Sequence, residues 1–346
     1  MVGLGGTGLS AIGELLDLGV DVVGVDRYRV GSAATGRNGG FFLAGTPDFH
    51  HRAAMVLGED RAAALYRLTL EQLDRIWLET PNAFRRTGSI RLAADQAEVE
   101  DCRAQLESMA DANLPVEVYN GIEGSGLLFP YDGSADPLRR ARTLAGRARM
   151  RGARLYEQTP ATGMSADRIK TPAGTISCKT VIVAVDGGLE RAVPAVKAVR
   201  TARAQMLATG PAHEINIPRP VYARYGYDYW QQLPDKRVVL GGFRDLGGDS
   251  EWTPHAEPTD AVQRHLETFL RDGLGVRAPI THRWAGAIGF TEDKLPVIWR
   301  GAGWAVGGFN GTGNVLGAVC GRAVAQLAVT GTSLLDGILP VRSTPA

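Results

Sequence analysis

Three glycines near the start of the chain have the spacing of a turn that binds phosphate groups. Gly3, Gly5 and Gly8 form a G-x-G-x-x-G pattern, and residues 9–16 continue it as a helix with one apolar face. In such a turn the first glycine permits a tight bend, the second lets the backbone approach a pyrophosphate, and the third allows close packing of helix and strand. The N-terminus of the helix then points its unpaired N–H groups at the phosphates. The residues predicted to contact a dinucleotide here are Gly3, Gly5, Gly6, Thr7 and Gly8.

An acidic residue follows this turn at the distance expected for a ribose contact. Residues 20–26 read as a second strand that ends in Asp26, and a carboxylate at this place can accept hydrogen bonds from the hydroxyls of the adenosine ribose. Only Met1 and Val2 precede the glycines, whereas a strand usually has about five or six residues. We therefore expect either a first strand that is nearly absent or a lost start of the chain, and the shortened strand would weaken cofactor affinity.

The segment after Asp26 distinguishes between two kinds of dinucleotide. Residues 31–42 form a loop of small residues that carries one cation, Arg37, and one amide, Asn38. Such a loop suits a diphosphate and a polar ribityl chain, whereas an NAD-dependent dehydrogenase would continue into another regular helix. The segment therefore favours FAD. The residues predicted to contact FAD here are Arg27, Ser32, Thr35, Gly36, Arg37, Asn38, Gly39 and Gly40.

This loop resembles a segment of the FAD-dependent oxidoreductases of the D-amino-acid oxidase/glycine oxidase family, in which G-S-x-A-S-G-R-N-G-G follows the ribose-binding acid. The resemblance extends along nearly the whole chain. Residues 88–93 look like the family's G-S-L-R-L-A strand, and Asp136-Pro137 looks like the V-D-P that opens a helix. Residues 179–188 are similar to its V-V-V-A-T-G-A segment, with Asp186 in place of the usual Thr.

Two C-terminal segments resemble the family more closely still. Residues 283–296 look like its W-x-G-x-x-x-x-T-x-D-x-x-P signature, and residues 307–314 look like its G-F-x-G-x-G turn. The resemblance implies that a helix opening at Asn314 aims its dipole at the flavin C2 carbonyl, which favours reduction of the flavin. The further residues that the resemblance implies as FAD contacts are Ala161, Ala184, Val185, Asp186, Gly187, Gly286, Ile288, Gly308, Phe309, Asn310, Gly311, Thr312, Gly313 and Asn314.

The fold that the resemblance implies is mixed α/β, with a Rossmann-like FAD-binding domain interleaved with an antiparallel-sheet substrate domain. The expected FAD-binding domain comprises residues 1–75, 136–198 and 280–346, and the expected substrate domain comprises residues 76–135 and 199–279. The sequence itself supports an antiparallel pair in the second domain. Residues 225–233 and 237–242 are rich in residues that favour strands, and a Pro-Asp-Lys turn separates them.

The resemblance also implies the reaction and leaves the substrate open. In this family a hydride passes from the carbon beside a neutral amine to the flavin, the imine is hydrolysed by water, and no dedicated catalytic base is required. Two positions at which relatives carry a basic residue for the substrate carboxylate are occupied here by Ile288 and Val315. Either another arginine takes this role, or the substrate amine lacks an adjacent carboxylate, an option that resemblance to the γ-glutamylputrescine-oxidase branch keeps open. The residues predicted to line the substrate pocket are Tyr229, Gln231, Arg224 and Arg244.

Two positions bear on the attachment of the cofactor and on the electron acceptor. Sarcosine oxidases of the family tether FAD through a cysteine that would fall near Ile288, so we expect non-covalent FAD. The lysine with which those enzymes help oxygen to react would fall near Val239. The electron acceptor is therefore expected to be either O2 or another acceptor.

Composition argues against several other classes of function. The 38 basic and 37 acidic residues are balanced, so no electrostatic feature favours nucleic acid or a membrane surface as a partner. No apolar run reaches about 18 residues, which predicts no membrane span, and the three widely separated cysteines indicate no disulfide framework and no metal site. We expect a cytoplasmic enzyme with a small-molecule amine substrate. Two alternatives stay open: an NAD(P)-dependent dehydrogenase, which leaves the turn at 308–313 unexplained, and a flavin-binding protein without turnover.

Overall fold

The computed structural model describes residues 1–343 of the chain. The α-helices are α1 (Gly6–Asp17), α2 (Ala34–Arg37), α3 (His50–Leu57), α4 (Glu59–Glu79), α5 (Gln96–Asp111), α6 (Pro137–Met150), α7 (Leu189–Ala192), α8 (Asp260–Thr268) and α9 (Leu316–Thr330). The strands are β1 (Val23–Val25), β2 (Phe41–Phe42), β3 (Phe84–Arg85), β4 (Ser89–Leu92), β5 (Glu117–Gly121), β6 (Gly124–Phe129), β7 (Gly133–Ala135), β8 (Arg154–Tyr156), β9 (Gly163–Met164), β10 (Arg168–Thr171), β11 (Gly174–Ser177), β12 (Ile182–Val183), β13 (Arg200–Pro211), β14 (Val221–Ala223), β15 (Asp228–Gln232), β16 (Arg237–Gly242), β17 (Ile280–Phe290), β18 (Val297–Arg300), β19 (Trp304–Gly307) and β20 (Val341–Ser343). Short 3-10 helices span Arg224–Gly226 and Asp245–Glu251, and a π-helical turn spans Phe269–Gly273. Within this part of the chain, no helix is long and apolar enough to cross a membrane.

A mixed sheet near the N-terminus, called the nucleotide sheet below, has the order β8-β1-Val2-β12-β19-β18-β20. Val2 forms single parallel bridges to Val25 and to Val183, so one residue takes the place of a first strand between β1 and β12. The neighbouring strand β1 is also short, since it covers three residues of the predicted segment 20–26. The sheet is parallel except where β18 runs against β19.

Two helices cross closely beside the nucleotide sheet and position the glycine turn. The apolar faces of α1 and α9 share one buried cluster, to which Ile12 and Val319 belong. A Cβ on Gly321 would overlap the carbonyl oxygen of Thr7, and one on Gly317 would lie 2.6 Å from the Thr7 hydroxyl. The absence of side chains at these two positions therefore lets α9 contact the first turn of α1.

The largest sheet has eight strands in the order β17-β13-β16-β15-β14-β4-β6-β5 and is called the roof sheet below. Its neighbours are antiparallel except for β14 and β4. Helix α8 packs against one face, where Leu207, Leu240 and Val262 are fully buried. The opposite face is free to cover a ligand. The prediction of a mixed α/β fold with an antiparallel sheet is confirmed.

Two predicted boundaries are wrong by a few residues. The predicted strand 225–233 begins only at Asp228, because Arg224 and Tyr225 adopt left-handed backbone angles that cannot continue a strand. The predicted helix start at Asn314 is also wrong, since α9 begins at Leu316. The predicted helix at Asp136-Pro137 is confirmed, and the Asp136 carboxylate caps it by accepting a hydrogen bond from the Arg139 N–H.

The division into two domains stays a prediction. Strand β17 lies in the expected FAD-binding segment 280–346, yet it pairs along its length with β13, which lies in the expected substrate segment 199–279. Residues 344–346 of the expected FAD-binding segment lie outside the described residues.

Candidate functional site

The glycine turn has no space for side chains. A Cβ on Gly8 would overlap the carbonyl oxygen of Gly3, and Gly3 itself has φ +100°, which favours glycine. Gly5 precedes α1 and has no side chain to cap it, and in the first turn only the Gly6 N–H donates to a side chain, that of Thr35. Unpaired N–H groups at the end of a twelve-residue helix are therefore available to an anion. This tight turn, with free N–H groups at the start of α1, fits a pyrophosphate.

Asp26 lies at the end of β1, as predicted. Its carboxylate accepts hydrogen bonds from the N–H of Leu4 at 2.7 Å and from that of Tyr28 at 2.8 Å. Burial raises the pKa of this carboxyl above its usual value. The predicted neighbour Arg27 is exposed, and Ala161 packs at the edge of the apolar cluster of the nucleotide sheet. The hydrogen bond from Leu4 holds the acid beside the glycine turn.

The predicted loop 31–42 contains the short helix α2 and is anchored to both ends of the chain. Thr35 Oγ1 accepts a hydrogen bond from the Gly6 N–H at 2.9 Å. The Asn38 amide donates to Thr35 O at 2.7 Å, and Asn314 donates to Asn38 Oδ1 at 3.1 Å and to Phe41 O at 2.8 Å. The loop and the C-terminal turn, 276 residues apart, therefore form one structure around these two amides.

Arg37 joins the same loop to the roof sheet. Its Nε donates to Ser32 O at 2.9 Å and its Nη1 donates to Ala285 O on β17 at 3.1 Å. Trp284, also on β17, donates from its indole to Arg37 O at 2.7 Å. A Cβ on Gly286 would come within 3.6 Å of the Arg37 Cβ, so β17 passes close to the loop.

Asp186 connects the nucleotide sheet to the C-terminal turn. Its carboxylate accepts hydrogen bonds from the N–H of Gly308 at 2.9 Å, of Gly289 at 3.1 Å and of Phe309 at 3.3 Å. Burial raises the pKa of this carboxyl. The next residue, Gly187, packs its α-carbon against the backbone of Ala287. The aspartate that replaces the family's threonine therefore holds two predicted FAD segments together.

A single cavity of about 610 Å³ runs from these segments beneath the roof sheet. Its volume is in the range that protein sites for small ligands occupy. The predicted FAD residues that line it are Arg37, Asn38, Gly39, Gly286, Ile288, Asn310, Gly311, Thr312 and Asn314. These residues define what is called the flavin end of the cavity below. The glycine turn, Asp26, Gly40, Gly308, Phe309 and Gly313 lie outside its lining.

The four residues predicted for the substrate pocket are separated by the structure. Tyr229 and Arg244 line the cavity. The Arg244 guanidinium stacks on Phe290 with 4.5 Å to the ring centroid. Gln231 is buried behind the lining and donates to Gly39 O. Arg224 lies outside the lining and pairs with Asp228 and Asp245. The roles of all four stay predictions.

Sequence reasoning missed several lining residues, two of which lie inside segments that resemble the family. Lys294 lines the cavity from the turn after β17, and Arg91, Tyr66 and Tyr222 also line it. Arg91 belongs to the G-S-I-R-L-A segment, whose resemblance to the family indicated only a strand. The only signal in the sequence was a cation within a segment that reads as a strand.

The family model described as "DAO: FAD dependent oxidoreductase" matches residues 1–327. The chain is 27% identical to the "Probable oxidoreductase OrdL" of Rhizobium meliloti (strain 1021), with 97% of this chain and 84% of that protein covered. It is 26% identical to the "Gamma-glutamylputrescine oxidoreductase" of Escherichia coli (strain K12), with 94% and 82% covered. These matches, together with the C-terminal turn, favour FAD over NAD(P).

Comparison with solved structures indicates the same fold. The L-proline dehydrogenase from P. horikoshii superposes with a TM-score of 0.78 at 22% sequence identity, over 96% of this chain and 93% of that one. At this identity the comparison bears on the fold alone.

Proposed function

Because the chain belongs to the DAO family of FAD-dependent oxidoreductases, we propose that it oxidises the C–N bond of a small amine or amino acid. The observation that carries the proposal is the continuous cavity, which has both C-terminal and N-terminal FAD segments at one end and the roof sheet above it. The relatives named for γ-glutamylputrescine and for proline support a substrate with an oxidisable C–N bond.

Different residues would hold the different parts of FAD. The glycine turn would bind the pyrophosphate, and Asp26 the ribose. The loop around Asn38 and the turn around Asn310 would hold the flavin, non-covalently because Ile288 offers no nucleophile. When bound, FAD supplies the acceptor for the hydride from the carbon beside the amine.

The chain's own residues prepare the substrate for this transfer. Met206 and Tyr229 of the roof sheet line the cavity, and their apolar side-chain surfaces would keep water from the reacting atoms. Arg244 and Lys294 bring two positive charges to the lining. Nearby positive charges disfavour an ammonium ion, so they lower the pKa of a bound amine and favour the neutral form that can give up a hydride. We assign this role to Arg244, in place of binding an adjacent carboxylate.

The electron acceptor is proposed to be O2 or another acceptor. At the place of the family's oxygen-assisting lysine, Val239 is buried beside Met206 and Ala208, so this position offers no charge to oxygen. We also propose a cytoplasmic location, which the three free thiols support, and the two interleaved domains given above.

A spectroscopic experiment tests the proposal. The purified protein is expected to be yellow with the two-band spectrum of a flavin, and acid is expected to release the flavin into the supernatant. A panel of amino acids, N-methyl amino acids and polyamines is then added without oxygen, and one class is expected to bleach the flavin. Admission of air shows whether O2 restores the colour.

Two outcomes would contradict the proposal. A colourless protein that takes up no added FAD would exclude a flavoenzyme. A yellow protein that no member of the panel bleaches would leave a flavin-binding protein without turnover. The Gly5→Leu variant, whose side chain would stand where the backbone approaches the pyrophosphate, is the matched control and is expected to be colourless.

A further inference from the structure

One buried cation in the cavity lacks a carboxylate partner. Arg91 on β4 is 9% exposed and lines the cavity. Its guanidinium stacks on Phe49, with 4.0 Å to the ring centroid, and lies 5.1 Å from the centroid of Tyr222. Its Nη1 donates to Gln105 Oε1 at 2.8 Å. Aromatic rings and one amide therefore hold the guanidinium in place and leave further N–H groups for a ligand.

Within the described part of the chain, Arg91 has no carboxylate partner, whereas the neighbouring Arg52 has one. Among residues 1–343, no Asp or Glu oxygen lies within 4.0 Å of its guanidinium nitrogens. Arg52, which stacks on the same Phe49 ring, pairs with Asp101 at 2.6 Å. Asp132 acts on Arg91 only through space, since its oxygens accept from Ser89 and Ala44. A buried charge is ordinarily paired, so a missing anion is indicated.

Strand register gives the position of Arg91 relative to the flavin end. Arg91 pairs with Tyr222, Tyr222 with Tyr229, Tyr229 with Gly241, and Gly241 with Met206. These residues form one row across the roof sheet. Met206 is the member of the row at the flavin end, because an added Cβ on Gly39 would lie 3.1 Å from its methyl group. Four strand spacings of roughly 4.8 Å separate Arg91 from Met206, a distance of about 19 Å between backbones.

We propose that Arg91 binds a carboxylate of the substrate at the end of the cavity remote from the flavin, and that the substrate is an amine separated from this carboxylate by an extended chain. An α-amino acid carries both groups on one carbon and cannot contact Met206 and Arg91 together. The planar guanidinium offers two parallel N–H groups to a carboxylate, a geometry that lysine lacks. This inference rests on the proposed function and specifies the substrate of the same cavity.

Substrate ladders and three variants test the inference. The wild-type holoenzyme is mixed without oxygen with α-aminobutyrate, γ-aminobutyrate, ε-aminocaproate and longer ω-amino carboxylates, and with the alkylamines that lack the carboxylate. The rate of flavin bleaching per unit concentration is expected to rise with the spacing between amine and carboxylate. Arg91→Met and Arg91→Lys are expected to lose on the order of 100-fold for the best ω-amino carboxylate, while the matched alkylamine changes little. The control Arg52→Met removes a cation that is already paired and is expected to lose less than about fivefold.

Binding without turnover provides a second readout. Long-chain carboxylates without an amine are expected to perturb the visible flavin spectrum of the wild type, with an affinity that Arg91→Met reduces and Arg52→Met retains. The inference is overturned if α-amino acids are the best substrates, or if Arg91→Met weakens carboxylates and alkylamines equally. If no amine bleaches the wild type, the proposed function fails instead, and the two failures are thereby distinguished.

Discussion

At the scale of single residues, the site depends on side chains that hold backbone segments in place. Asp186 is the clearest case, because its one buried carboxylate accepts hydrogen bonds from one N–H group of β17 and two of the C-terminal turn. A threonine, which the resemblance leads one to expect there, has a single hydroxyl oxygen. The longer, doubly accepting side chain therefore fixes β17 and the C-terminal turn relative to β12.

The Asp186→Ala variant is expected to bind FAD more weakly. Loss of the carboxylate leaves the N–H groups of Gly289 and Gly308 without acceptors, at a cost of about 1–3 kcal/mol for each buried group. Titration of the apoprotein with FAD, followed by flavin fluorescence, is expected to show an affinity at least about tenfold lower. Asp186→Thr is expected to recover part of this loss, and exposed Asp167→Ala serves as the control. Unchanged affinity in Asp186→Ala would refute the role.

The Arg244→Gln variant is expected to shift the pH dependence of flavin reduction. Removal of the charge raises the pKa of the bound amine, so the limiting rate at saturating amine should rise at higher pH, by roughly one pH unit. Anaerobic stopped-flow mixing measures this rate. The control is Arg224→Gln, because the charge of Arg224 is already matched by Asp228 and Asp245. A shift in the control and none in Arg244→Gln would contradict the assignment.

Residues with local patterns were predicted from the sequence, and residues assembled by distant strands were not. The glycine turn and Asp26 act through spacing along one segment, so their placement follows from the pattern. Arg91 lines the cavity only because β4 joins the roof sheet beside β14, 131 residues later at the Tyr222 pairing. Nothing in residues 88–93 predicts that β4 pairs with β14. The same reason explains why Gln231 and Arg224 were expected in the pocket lining but lie outside it.

At the scale of elements, the close crossing of α1 and α9 controls the cofactor end of the molecule. The crossing depends on two glycines one helical turn apart, Gly317 and Gly321, both packed against Thr7. The start of α9 was predicted two residues too early because Asn314 reads as the opening of a helix. In the structure its amide instead bonds the backbone of Phe41 and the side chain of Asn38.

The Gly321→Ala variant is expected to separate these helices. Its Cβ would overlap the carbonyl oxygen of Thr7, which is backbone and cannot rotate away. We expect a loss of about 1–3 kcal/mol in the free energy of unfolding, measured by urea denaturation, and weaker FAD binding. The matched control is Gly13→Ala on α1, where a Cβ meets nothing within 4 Å. This change should stabilise by about 0.5–1 kcal/mol through helix propensity. Equal behaviour of the two variants would contradict the role of the crossing.

At the scale of the whole molecule, a buried carboxyl connects the segment after the flavin loop to the roof sheet. Asp132 accepts hydrogen bonds from the Ala44 N–H at 2.8 Å and from the Ser89 hydroxyl at 2.6 Å. The mixed fold was predictable because glycine turns, alternating strands and helix caps are local. This connection was not, since it joins three segments that are 43 and 88 residues apart.

Asp132 is expected to make the stability of the protein depend on pH. Burial raises its pKa from 3.8 to about 7 in the folded protein. Because the folded pKa is the higher one, this contribution to stability is fully present below the unfolded pKa and is lost as pH rises toward the folded pKa. In Asp132→Asn the amide can donate to Ser89 and its oxygen can accept from Ala44, so the variant keeps the contacts without a titrating group. Urea unfolding at about pH 5 and about pH 8 is expected to show that the wild type loses more stability than the variant, by about 2.5 kcal/mol. Asp186 and Asp26 titrate in both proteins and cancel in the comparison. A difference that is constant with pH would show that the Asp132 carboxyl keeps an ordinary pKa in the folded chain.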